Sequence, residues 1–197
     1  MSLLAGARTG FALACAGLAA LIGVMAVVPG GRAAAGAIAG IGVSEPGPAI
    51  RLAAACDVLL PIGYASGFVL LAAGLARGPR GWVAAGIVGV LTTVGLTLDL
   101  MENAAALAGD ASGLTPAKYG TLGAAAFVLS TLLGDGRAAR LTRPTAQIAA
   151  PVLLAATIAL PPDLSEPWLT VPVLLALFAL LTLVAHESLS DERARRA

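Results

Sequence analysis

The sequence predicts an all-α integral membrane bundle of about six transmembrane helices with both termini cytoplasmic, and three observations predict it. Hydrophobic residues make up 58% of the 197 residues and charged residues only 12%, about half the charged share of a soluble domain. Apolar runs near 20 residues, the helical length that crosses about 30 Å of hydrocarbon, recur down the chain. The basic residues alternate between loops in a pattern that sets an orientation. A soluble fold this small could not cover its surface with so few charges, and a formal net charge of +1 offers no field for nucleic acid. Soluble enzyme, nucleic-acid-binding module and disordered linker are therefore excluded.

The first run covers residues 10–28, after Arg8 and before Pro29-Gly30-Gly31. A secretory leader competes for this segment, but the run exceeds a usual leader's apolar stretch, and a retained span suits the rest of the chain. The second run is 52–75, the third 82–101 and the fourth 117–133. A short fifth run, 146–160, lies between Pro144 and Pro161-Pro162, and 168–185 forms the sixth. Between the first two, residues 33–43 (AAAGAIAGIGV) are apolar but too short to cross. An interfacial or re-entrant piece is expected there, or else a surface loop. The tail 187–196 (ESLSDERARR) reads as a solvated helix extension.

With the N-terminus inside, the inner segments hold Arg8, Arg77, Arg80, Arg137, Arg140, Arg143, Arg193, Arg195 and Arg196, and the outer ones only Arg32, Arg51 and Lys118. That bias supports six spans in the plasma (inner) membrane of a bacterium. The predominance of Arg over Lys and the abundance of Ala suit a GC-rich bacterial genome. Trp82, Tyr119 and Trp168 fall at predicted interfaces, where amphipathic rings settle.

In a bilayer the informative residues are the ionisable ones, since each costs a few kcal/mol or more at depth unless paired or wetted. Asp57 lies about six residues into the second run, Asp99 and Glu102 at the outer end of the third, and Lys118 opens the fourth. Topology alone brings these four to one leaflet. Asp99, Glu102 and Asn103 are spaced i, i+3, i+4 and share a helix face, which continues inward through Gly95 and Thr92. Asp57, Pro61 and Tyr64 share a face of the second run, and Pro61, lacking an N–H, leaves the carbonyl of residue 57 without its usual helical donor. Three carboxyls face one ammonium, with Arg51 further out. One acid is then protonated, or a cation is bound, or the acids do not all meet. A plain ion pair of Lys118 with an acid is the bland account.

Other signals are weaker. Cys15 and Cys56 sit in apolar runs as small hydrophobes, and the single histidine, His186, reads as a solvated helix end unable to form a metal site by itself. Thr92, Thr93, Thr97, Ser130 and Thr131 are expected to bond back to their own helices, and the Gly86/Gly89 and Gly120/Gly123 pairs to form close-packing surfaces. No hydrolase, zinc-protease, phosphate-loop or redox-cysteine motif is present, and no cofactor or metal is implied.

Asp57 in an apolar span followed by Tyr64, then LDLMEN at 98–103, then Lys118 heading the next span, resembles a group of functionally uncharacterised small bacterial multi-pass membrane proteins. In that group an acid-bearing helix, a D-x-x-E-N helix and a Lys-led helix follow one another. The resemblance covers residues 52–133 and implies a shared polar site without supplying a reaction. This chain departs from it in carrying two further spans. The expected site is Asp57, Asp99, Glu102, Asn103 and Lys118, with Tyr64 behind them. The leading expectation is binding or transport of a small cation, proton or polar solute. The alternatives are a membrane-embedded enzyme using paired carboxyls on a lipid or isoprenoid, and an accessory subunit whose acids set helix register. The expected partners are the lipid bilayer and such a small ligand, with no nucleic acid.

Overall fold

The computed structural model describes residues 2–38, 47–110, 113–159 and 171–196, and every regular element among them is helical. In chain order these are α1 (Leu3–Val27), α2 (Gly31–Ile38), α3 (Pro48–Asp57), α4 (Leu59–Leu75), α5 (Gly78–Ala108), α6 (Thr115–Ser130), α7 (Arg137–Ala159) and α8 (Val171–Arg196). Four helical stretches are long and apolar enough to cross a membrane: Leu3–Val27, Pro48–Leu75, Gly78–Ala108 and Val171–Arg195. The chain is therefore an all-α, membrane-type helical bundle.

Local chemistry moves several boundaries. The first helix begins at Leu3 because the Ser2 hydroxyl accepts the Ala5 amide at 3.2 Å, an N-cap. The third run continues to Ala108, where Gly109 turns left-handed at φ 84° and its N–H closes on the Ala105 and Ala106 carbonyls. Asp99 and Glu102 consequently lie inside α5, not at its end. Pro144, expected to bound the fifth run, sits with Pro151 inside α7, which already starts at Arg137. That start is capped from far away in sequence. The Glu187 carboxylate accepts the amides of Arg137 at 2.9 Å and Ala138 at 3.0 Å, the favourable placement of an anion at a helix N-terminus. Glu187 is thus a half-buried tertiary cap where a solvated tail was expected. Trp168 and residues 39–46 and 160–167 lie outside the described residues.

The axis of packing is α1 against α4. Their backbones approach closely enough that a Cβ at Gly10 would lie 2.7 Å from the Gly67 nitrogen, and one at Gly17 would lie 2.7 Å from that of Leu60. Around this contact Phe11 meets Phe68 edge-on at 5.5 Å and Phe178 of α8 at 6.2 Å, while Tyr64 stacks on Phe178 at 6.2 Å. The Gly86/Gly89 pair does not play this part. A Cβ at either would meet nothing within 4 Å among the described residues, because α5 is peripheral and buries one stripe, from Val88 to Ala106. Arg8 of α1 reaches His186 of α8 at 3.3 Å, so both chain ends lie at one end of the bundle, called the terminal end below.

Two apolar cores result. The larger draws on α1, α4, α5, α6, α7 and α8 and begins on α4 with Leu60. The smaller, at the distal end, joins Leu21 and Val24 of α1 to Ala34, Ala35, Ala37 and Ile38 of α2, Ile50, Ala53 and Ala54 of α3, and Ala106 of α5. The apolar segment after Pro29 is thus partly a short helix seated on the bundle. Gly30 supplies its entry turn at φ 76°. Among the described residues the buried charges, Asp57, Asp99, Glu102 and Lys118, lie at the level between the two cores.

Candidate functional site

Asp57 is the last residue of α3, and Val58 links it to α4. The break falls four residues before Pro61, where the missing N–H removes the helical partner of the residue 57 carbonyl. Val58 keeps helical torsions (φ −53°, ψ −29°) and its N–H still bonds the Ala54 carbonyl, so the Asp57 carboxylate sits at a joint made by one missing backbone hydrogen bond in an otherwise continuous helical stretch. Opposite stands the buried stripe of α5: Thr92, Gly95, Asp99, Glu102 and Asn103. The i, i+3, i+4 spacing does bring the last three onto one face. Gly95 lets α6 approach, its Cβ position lying 2.9 Å from the Leu122 side chain. That approach brings Lys118, in the first turn of α6, over the acids.

All six expected residues meet. Lys118 Nζ lies 3.0 Å from Asp99 Oδ1 and 2.5 Å from Glu102 Oε2. The Tyr64 hydroxyl donates to Asp99 Oδ2 at 2.8 Å, so Tyr64 is a direct partner and no mere backing residue. Asn103 Nδ2 donates to Asp57 Oδ2 at 2.9 Å. Every member is buried, with Glu102 only 1% and Lys118 5% exposed. Asp57 feels the charges of Asp99, Glu102 and Lys118, so the group is one electrostatic unit. Arg51, by contrast, is exposed on α3 and stands apart.

Sequence reasoning missed two members of the neighbourhood. Thr115 donates to Glu102 Oε1 at 2.6 Å from the first turn of α6, a turn that the expected start of the fourth span had left in the loop. Its signal was Thr115-Pro116, proline being suited to a helix's first turn. Tyr119 is buried beside Lys118, whose ammonium sits 5.1 Å from the ring centroid, instead of lying at an interface. Of the hydroxyls expected to bond back, Thr93, Thr97, Ser130 and Thr131 do so. Thr92 does not: its buried hydroxyl has no partner among the described residues.

Two features define what the cluster can do. With its carboxyls ionised it carries three negative charges against one positive, a formal −2 in a low-dielectric layer, where uncompensated charge is costly. Lys118 is shared by Asp99 and Glu102, while the side-chain donor to Asp57 among the described residues is the neutral amide of Asn103. The Oδ1 of Asn103, buried with the residue at 4% exposure, accepts no hydrogen bond from the described residues. A carboxyl oxygen of Asp57 and the amide oxygen of Asn103 thus sit together, an arrangement suited to a donor-rich solute. Asp57 and Asp99 are held by different donors, Asp57 by Asn103 and Asp99 by Tyr64 and Lys118. Among the described residues no His, Cys, Asp or Glu group is set to hold a metal ion. A recess of about 780 Å³ lies at the terminal end among Arg77, Trp82, Asp135, Glu187 and Arg195, and no cluster residue lines it.

Comparison with protein-family models, with curated proteins and with solved structures gave no match, so the site is read from its own geometry.

Proposed function

We propose that this chain is a six-pass plasma-membrane protein, termini cytoplasmic, that binds a small cationic or polar solute at the Asp57–Asp99–Glu102–Asn103–Lys118 cluster in the outer leaflet. The carrying observation is the surplus of buried carboxylate over ammonium, joined to the unpartnered Asn103 oxygen beside Asp57. Six passes are supported by α6 and α7 in addition to the four long apolar stretches. The 23 residues of α7 reach about 34 Å, and the 16 of α6 about 24 Å before a final turn at Thr131–Leu133. The orientation rests on the Arg-rich terminal end, where Arg8, Arg77, Arg80, Arg137, Arg140 and Arg143 gather against few basic residues at the other.

Binding is favoured over transport by the interior beyond the cluster. Inward along α5 the next buried polar group is Thr92, seven residues or about 10 Å from Asp99, too far for a direct handover. A second reading, in which the acids fix helix register, is favoured by the protein donors on each carboxyl. Titration calorimetry of the detergent-purified protein with sodium, potassium, ammonium and methylammonium separates the two. Saturable heat that disappears in Asp57→Asn supports a binding site; no heat from any of them leaves the register role.

A further inference from the structure

The joint at Asp57 has a consequence for access to the cluster. Among the described residues, the buried apolar side chains of α2 and α3 belong to the distal core and none to the larger one. That core is built mainly of alanines, whose single methyl groups bury little area, whereas the larger core holds Phe11, Phe68, Phe178 and Tyr64. Both described ends of the α2–α3 unit are weak points. Gly30, at φ 76°, follows Pro29 at one end, and the backbone hydrogen bond that Pro61 cannot make marks the other. Helix α4, by contrast, is pinned to α1 by glycine contacts beginning at Gly17 and Leu60, directly after the break. The polar link given by the described residues between the end of α3 and α5 is the 2.9 Å bond from Asn103 to Asp57.

We infer that α2 and α3 form a hinged cover over the Asp99–Glu102–Lys118 centre, with Asp57–Asn103 as its latch. Releasing the latch swings α3 about Val58 and opens the cluster toward the distal end. This rests on the cluster being a binding site: the incoming cation takes the Asp57 carboxylate and the Asn103 oxygen together and closes the cover.

Cys56, half-buried against the distal core and adjacent to Asp57, reports the motion. A maleimide needs the thiolate, which forms only where water reaches. The rate of maleimide labelling is measured on the full-length purified protein carrying Cys15→Ala. Asn103→Ala removes a charge-assisted bond and should raise the rate about tenfold. Pro61→Ala restores the missing N–H, joins α3 to α4 and should lower it. Should Asn103→Ala not fold, Pro61→Ala decides by itself. Equal rates in all folded proteins overturn the cover. A faster rate in Asn103→Ala that no cation slows in the parent would keep the cover and remove the binding reading. Cation-induced heat with equal labelling rates would do the reverse.

Discussion

Lys118 stands over Asp99 at 3.0 Å, from the first turn of α6 onto the middle of α5, with both side chains almost wholly buried. This pair is the keystone of a cluster in which one ammonium serves two carboxylates. Removing it leaves both without a cation in a dry layer, a loss of about 3–5 kcal/mol.

The first prediction uses that loss. Lys118→Ala should melt well below wild type, and methylammonium, which replaces the missing end of the side chain, should restore part of the difference. Lys118→Met fills the same space with a thioether and should show no such recovery. Melting curves of the two variants with and without methylammonium check it.

Tyr64→Phe removes one hydrogen bond to an ionised acceptor and leaves the stacking on Phe178 intact. A loss of about 1.5–3 kcal/mol is expected. Chemical denaturation in mixed micelles measures it, and a loss below a few tenths would mean that Asp99 is held by Lys118 alone.

Glu187→Ala should cost about 1 kcal/mol by uncapping α7. Glu187→Gln should cost less, because its amide oxygen still accepts one backbone N–H. Equal stability of all three proteins would show that the cap contributes nothing.

Gly63→Leu should prevent folding altogether. The Cβ position at Gly63 already falls against the Ala14 backbone, which has no room to yield. Gly86→Leu, on the open face of α5, should be tolerated within about 0.5 kcal/mol. Yield of monodisperse protein in detergent compares the two.

These contrasts show which parts of the molecule its sequence makes legible. Asp57, Asp99, Glu102, Asn103 and Lys118 could be found because burying charge in a membrane is costly and helical spacing is rigid, so depth and face follow from counting. Tyr64 followed from Pro61 and Asp57 on the same face. The Glu187 cap could not be found, since 50 residues separate donor and acceptor and no local pattern announces the contact. The Gly86/Gly89 pair misled for a related reason. Gly86 and Gly89 have the same local spacing as a packing surface, but which helix face meets a neighbour depends on the whole bundle. Thr92 was expected to bond back to its own helix like its neighbours, and only the surrounding structure shows that its hydroxyl has no partner among the described residues.

The most direct test of the central claim, that the surplus of buried carboxylate holds a cation, is a thermal-melt series of the detergent-purified protein across sodium, potassium, ammonium, methylammonium, magnesium and calcium at constant ionic strength. Wild type is run beside Asp57→Asn, Asp99→Asn and Glu102→Gln. A cation that binds the folded state at about 100 times its Kd adds about 2.7 kcal/mol. The account predicts that at least one monovalent cation raises the wild-type Tm by several degrees and that Asp57→Asn abolishes the response. A wild type indifferent to every cation, with substitutions that merely lower the Tm, would contradict it and leave the acids as interhelical ties.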